Sequence, residues 1–138
     1  MKSDIEFPAV EGVTMAIARK PIDEVLGTFE WFVYLINNNK YQLRNVLITS
    51  KGYGVDTNEG VKTATLRQHF DTILAESATV MEMIQPETFA LVNEFWISFY
   101  IDGVDKILDR KFVFMPETVS EANLRPLELI NLEGVLHS

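Results

Sequence analysis

His69 and Asp71 stand two residues apart, the separation at which two side chains of a β-strand share one face. A carboxylate so placed can orient an imidazole, and the imidazole can take a proton from a hydroxyl, for which Ser77 and Ser98 are the candidate nucleophiles. That pattern describes a small hydrolase or ligand-binding enzyme. No G-x-S-x-G elbow accompanies it, and the plainer assignment is two surface residues beside a turn. Metal chemistry has less to draw on. The chain has two histidines, His69 and His137, in neither H-x-H nor H-x-x-x-H spacing, and no cysteine, so neither a metal nor another cofactor is expected. Lys51-Gly52-Tyr53-Gly54 offers backbone N–H groups to an anion but lacks the G-x-x-x-x-G-K-[ST] pattern, which reduces it to a glycine turn. Asp105 and Asp109 are a carboxylate pair of the kind glycosidases use only inside a cleft; on an open sheet face they are solubilising charges.

The feature with no such plain explanation is an excess of aromatic side chains on faces that should be wet. Trp96 and Tyr100 fall on the polar side of one strand, and Phe32 and Tyr34 on the second apolar side of another. Two readings stand side by side. Either loops or the C-terminal strand cover these rings within one chain, or they anchor a protein-protein interface, where Trp and Tyr are enriched.

The stretch that positions Trp96 and Tyr100 is residues 94–115, EFWISFYI, then Asp102-Gly103, then VDKILDRKFVFM. An Asp-Gly pair between alternating aromatic and β-branched runs predicts a β-hairpin on a two-residue type I′ turn. In that register Ile101 faces Val104, Ile97 faces Leu108, Phe95 faces Arg110 and Glu94 faces Lys111. Phe95, Ile97, Phe99, Ile101, Val104, Leu108, Phe112 and Phe114 then line the core side, and Glu94, Trp96, Ser98, Tyr100, Asp105, Asp109 and Lys111 the outer side.

The rest of the chain reads as short strands between turn signals. After a lead-in over residues 1–8, VTMAIARK predicts a strand over 10–20 ended by Pro21, and 21–27 a turn or single helical turn. TFEWFVYLI, 28–36, is apolar on both faces and should be central or lie under an interface. The loop 37–40, Asn-Asn-Asn-Lys, predicts a hairpin into a strand over 41–50. Glycines punctuate a loop over 51–54 and 56–60. Residues 61–76 are ambiguous, because Leu66, Phe70, Ile73 and Leu74 have helical spacing while VKTATLR alternates β-branched residues; a strand to about Phe70 and a turn over 71–77 is the preferred reading. A strand is predicted over 78–84, a crossing over 85–93, a Thr118/Glu121 capping box on a short helical turn, and a last strand over 127–137 kinked at Gly134.

Seven or eight such strands predict an all-β, antiparallel two-sheet sandwich, immunoglobulin-like, with one or two short helical turns; the alternative is α+β with a helix near 63–76. At 138 residues the chain is expected to form a single β-sandwich domain over 1–138, burying roughly 70% of its unfolded surface. Twelve Lys and Arg against 20 Asp and Glu give a net charge of −8, with the basic residues scattered singly. Such a field opposes nucleic acid and anionic membrane, so neither is expected as a partner. The N-terminal residues carry acids where a secretory signal needs an apolar core, and no stretch approaches the ~18 apolar residues of a membrane helix, so the expected location is the cytoplasm.

Along nearly its whole length the chain resembles a family of small bacterial proteins of unknown function. The matching segments are YLIN at 34–37, SKGYG at 50–54, TLR at 65–67, FDT at 70–72, EFWISFYID at 94–102 and DRKFVFMPET at 109–118. Some members of that family bear the label phenylalanyl-tRNA synthetase α subunit. A class II synthetase core needs a large antiparallel sheet, ATP-binding arginines and a basic surface for tRNA, which an acidic chain of 138 residues does not supply. What the resemblance implies is an independently folding unit, with no active site to carry over. The function expected from the residues is a non-catalytic protein-protein interaction or structural module. Its partner is a second copy or another protein, with Trp96, Tyr100, Phe32 and Tyr34 at the interface.

Overall fold

The computed structural model describes residues 11–54 and 65–137. Among these residues nine strands form two antiparallel sheets packed face to face. They are β1 (Val13–Asp23), β2 (Thr28–Asn37), β3 (Leu43–Tyr53), β4 (Leu66–Ile73), β5 (Ser77–Ile84), β6 (Val92–Tyr100), β7 (Leu108–Phe114), β8 (Arg125–Leu127) and β9 (Leu132–His137). The five-stranded sheet runs β5-β2-β1-β9-β8 and the four-stranded sheet β4-β3-β6-β7. Among the described residues the helix present is 3-10 only, as in the turns Pro86–Ala90 and Glu121–Asn123. The all-β sandwich expectation holds, and the alternative helix near 63–76 is replaced by β4 from Leu66 onward. The expected lead-in over 1–8, the loop over 56–60 and the start of the run at 61 lie outside the described residues.

The core lies between the sheets. Val13, Met15, Ile17, Val33 and Leu35 from one sheet meet Leu43, Ile48, Ile97, Phe99 and Phe112 from the other, all of them essentially without solvent contact. Alternation explains this, since each strand turns every second side chain inward. A smaller apolar cluster coats the outer side of the five-stranded sheet, where Ala16, Ala18, Tyr34 and Ile36 are buried with Leu127, Ile130 and Leu132 packed against them. β2 is therefore apolar on both faces because both are covered, one by the core and the other by this second cluster.

Several boundaries and one register differ from expectation. β6 and β7 do pair, but Phe95 faces Phe112, Ile97 faces Arg110 and Phe99 faces Leu108, two residues away from the predicted register. Val104 N donates to Ile101 O at 3.0 Å, closing a turn on Asp102-Gly103. Only Gly103 takes positive φ, at 86°, so the turn is not type I′, and a turn of the wrong hand splays the strands instead of extending the ladder. A two-residue shift keeps every side chain on its face. Phe95, Ile97, Phe99, Ile101, Leu108, Phe112 and Phe114 are accordingly buried, and Trp96 and Tyr100 face outward. Arg110, on the core side opposite Ile97, reaches across to the facing sheet, donating from Nη1 to Val13 O at 3.0 Å with its guanidinium 4.9 Å from the Phe112 ring centroid.

β1 does not end at Pro21, which pairs with Phe29 beyond the point where β9 has left the ladder, so no bond is lost on that side. Residues 37–40 make no hairpin, because β2 and β3 belong to different sheets and the chain crosses over. Lys51, Gly52 and Tyr53 are not a loop but the tail of β3, paired with Glu94, Asn93 and Val92. β4 runs past Phe70 to Ile73, and β5 begins at Ser77. The Thr118/Glu121 capping box does not form; the 3-10 turn is capped by Ser120 without a side-chain bond, and Thr118 O accepts from Asn123 Nδ2 at 2.8 Å. The last predicted strand is two, β8 and β9, joined by a tight turn with Asn131 at φ 56°. Gly134 is no kink. It lies inside β9, opposite Ala18, where a Cβ would come within 2.7 Å of Ile17 O and 2.8 Å of Leu127 Cδ1.

Candidate interaction surface

The outer side of the four-stranded sheet is built by the residues that alternate with the core. Cross-strand pairing sets them in rows: Arg67, Thr49, Trp96 and Lys111 in one, and His69, Leu47, Ser98 and Asp109 in the next. Lys51 and Glu94 pair on one flank, Arg44 and Tyr100 on the other. Three apolar side chains stand open in the middle, Leu47 at 44% exposure, Trp96 at 47% and Tyr100 at 41%. No loop of the described chain buries them.

Charges frame this patch. Glu94 Oε1 and Oε2 lie 3.6 Å from Lys111 Nζ and 3.7 Å from Lys51 Nζ, and Tyr53 OH donates to Glu94 Oε1 at 3.0 Å. Burial first, then the hydrogen bond to Glu94, holds the Tyr53 phenol above its ordinary range. The Lys111 ammonium also sits 5.7 Å from the Trp96 ring centroid, within cation-π range. At the far corner Arg44 Nε lies 3.6 Å from Asp102 Oδ1. Arg44, Lys51, Arg67 and Lys111 all border one face, which sets it apart from a chain of net charge −8.

His69 and Asp71 are on β4 at the margin of this face, with Nδ1 and Oδ1 3.7 Å apart and both side chains largely in solvent. Neither serine is hydrogen-bonded to His69 in the interactions seen among the described residues. Ser98 is two strands away across Leu47, about 10 Å at a strand spacing of ~4.8 Å. Ser77 donates its hydroxyl to Leu74 O at 2.7 Å in the turn between β4 and β5. His137 ends β9 with its ring against the edges of Phe112 and Phe114, at centroid distances of 5.1 and 5.4 Å. Thr14 Oγ1 donates to its carbonyl. Among the described residues no group of three or more His, Asp or Glu is disposed to hold a metal ion. Asp105 lies in the loop after the turn and Asp109 on β7 opposite Ser98. The backbone of Lys51–Gly52–Tyr53 is committed to the sheet and does not cradle an anion.

The four interface candidates divide between opposite outer surfaces. Trp96 and Tyr100 stay open, whereas Tyr34, at 9% exposure, and Phe32 belong to the cluster under the C-terminal hairpin. Burial raises the Tyr34 phenol above its ordinary range. Leu47 is missed from sequence because the hairpin expected over 37–40 sets its strand beside β2, whereas it lies beside β6 in the other sheet. Once β3 is set beside β6, the alternation of Leu47 with Val46 and Ile48 marks it as outward.

No helix among the described residues is long and apolar enough to cross a membrane. No protein-family model matches the chain, and no curated protein or solved structure matches it.

Proposed function

We propose that the protein is a non-catalytic binding module that associates with a second copy of itself through the outer face of the four-stranded sheet. The observation that carries this reading is the exposure of Leu47, Trp96 and Tyr100 on one sheet face framed by both signs of charge. A two-fold axis sets such a face against itself, with the Lys51, Arg67 and Lys111 side of one subunit meeting the acidic groups of its partner. Roughly half of the ~150–250 Å² that each aromatic side chain can bury is still uncovered, about 2–3 kcal/mol per ring at ~25 cal/mol/Å². Four rings across a dimer then contribute ~8–12 kcal/mol against ~4–15 kcal/mol of lost rigid-body freedom, so the association is reversible and concentration-dependent. Repulsion between two chains of net charge −8 opposes encounter, and salt near 0.15 M screens it beyond ~8 Å.

Two antiparallel sheets with their connections gathered at the ends support the immunoglobulin-like reading as the scaffold of such a module. The test is light scattering on a sizing column at ~0.15 M salt. Wild type should give twice the 15.7 kDa chain mass, and Trp96→Ser with Tyr100→Ser a folded monomer. A wild-type monomer over about a hundred-fold range of concentration, or a double variant that stays dimeric, would refute the proposal.

A further inference from the structure

A second site lies between the sheets at one end of the sandwich, where β3 and β5 face each other under the Pro86–Ala90 turn. Its centre is a hydrogen bond of 2.8 Å from Ser50 Oγ to Glu82 Oε1. Ser50 is 5% exposed and Glu82 half-buried. Plain alternation along β5 would have put Glu82 outside with Val80. A β-bulge prevents it: Val33 pairs with Glu82 and Tyr34 with Val80, so Met81 is the extra residue and Glu82 is turned inward opposite a core valine. Bulges that re-aim a single side chain are over-represented beside functional sites. Here one places a carboxylate where an apolar residue would be the stable choice.

Around this pair is a cavity of about 210 Å³, lined by Glu82, Ser50, Asn93 and Thr88 on its polar side and by Phe95 and Ile84 on its apolar side. Lys51 and Gln85 bring donors to the lining, Gln85 with Nε2 3.9 Å from Met83 Sδ, and the other polar groups present acceptors. Asn93, 7% exposed, donates both Nδ2 hydrogens, to Thr88 O at 2.9 Å and Leu91 O at 3.3 Å, so its remaining function is an acceptor. Thr88 Oγ1 donates to Gln85 O at 2.7 Å, and Ser50 has donated to Glu82. Among the described residues no cation pairs with Glu82; the nearest by lining is Lys51, which is engaged with Glu94 on the other side of the sheet. A half-buried carboxylate with spare acceptor positions, beside the acceptors of Ser50, Asn93 and Thr88, is complementary to a ligand that brings hydrogen-bond donors and positive charge.

We propose that this cavity binds a small organic ammonium, its N–H groups on Glu82 and Asn93 and a short alkyl chain against Phe95 and Ile84. At about 210 Å³, and open to solvent on one side, the cavity has room for a small amine. The site is on the core side of β3 and β6, away from the Trp96 face, and stands or falls independently of self-association.

The experiment is a titration of the isotope-labelled full chain with n-butylammonium near pH 7, followed by amide chemical shifts, with n-butanol and butyrate as neutral and anionic controls. Saturable shifts centred on Ser50, Glu82 and Asn93 are expected, with n-butanol at least about tenfold weaker and butyrate without effect. Glu82→Gln should weaken n-butylammonium by about tenfold or more while keeping a folded spectrum. Shifts equal for the alcohol and the amine, no saturable shift at these residues, or undiminished binding by Glu82→Gln would each overturn the proposal.

Discussion

The side-chain amide of Asn37 donates to the carbonyl oxygen of Leu74 at 3.0 Å, tying the end of β2 to the end of β4. Both are points where the chain leaves one sheet for the other, and the same Nδ2 donates to Tyr41 O at 2.9 Å while Oδ1 accepts from Asn39 N at 3.1 Å. Asn37 is fully buried, so one polar side chain satisfies the backbone of two crossovers. Asn37→Ala removes this partner from both carbonyls, and at ~0.5–1.5 kcal/mol net for each hydrogen bond a loss of about 1–3 kcal/mol is expected in urea denaturation. A loss below about 1 kcal/mol would mean that water replaces the amide at no cost.

Phe99 and Ser98 are neighbours on β6 with opposite fates. Phe99 has no solvent contact, and Ser98 faces outward between Leu47 and Asp109. Phe99→Ala should cost ~3–5 kcal/mol through the cavity it leaves, and Ser98→Ala well under ~1 kcal/mol. Equal effects on the denaturation midpoint would contradict the assignment of faces.

How much of this was legible in the sequence depends on whether a feature is local. The faces of β6 and β7 were readable because alternation of Phe95, Ile97 and Phe99 with Trp96 and Tyr100 is a property of each strand by itself. Their register was not, because it turned on whether Asp102 would adopt positive φ, which the wider packing decides. The double-sided burial of β2 was visible as an unbroken apolar run, but the cover over Tyr34 comes from Leu127 and Ile130, about a hundred residues later. Glu82 was hidden altogether. Its strand, ATVMEMI, alternates correctly in the sequence, and only the bulge against β2 reverses its direction.

Gly134 owes its identity to a close approach between elements. A methyl group there would meet Ile17 O at 2.7 Å and Ala18 Cβ at 2.8 Å, backbone and short side chain that cannot swing aside. Gly134→Ala should therefore destabilise by ~1–3 kcal/mol, despite the better strand propensity of alanine. A thermal midpoint at or above that of wild type would show that β9 can move away from β1 without penalty.

Burial raises the carboxyl of Glu82 above the ordinary glutamate range, and the Ser50 hydrogen bond only partly offsets it. Lys51 is the charged group lining its surroundings; Ser50, Gln85, Thr88, Asn93 and Phe95 face it uncharged. Because the folded state holds this proton more tightly than the unfolded chain, the contribution to stability is complete in acid. It is lost as pH rises from the ordinary range through the raised value. Glu82→Gln, which cannot ionise, should be more stable than wild type at neutral pH, with the difference shrinking as pH falls below the ordinary glutamate range. Thermal unfolding of both proteins across pH 4–8 checks it, and a variant less stable than wild type at neutral pH would show the carboxylate to be favourably held.

The most direct test of self-association is a pair of amide correlation spectra of the wild-type chain, one concentrated and one diluted about a hundred-fold at constant salt. Concentration-dependent shifts confined to Leu47, Trp96 with its indole N–H, Tyr100 and Lys111 are predicted. Shifts gathered instead on Ile22, Val80, Met83 and Leu136, exposed apolar residues of the opposite sheet, or spectra that superimpose at both concentrations, would contradict it.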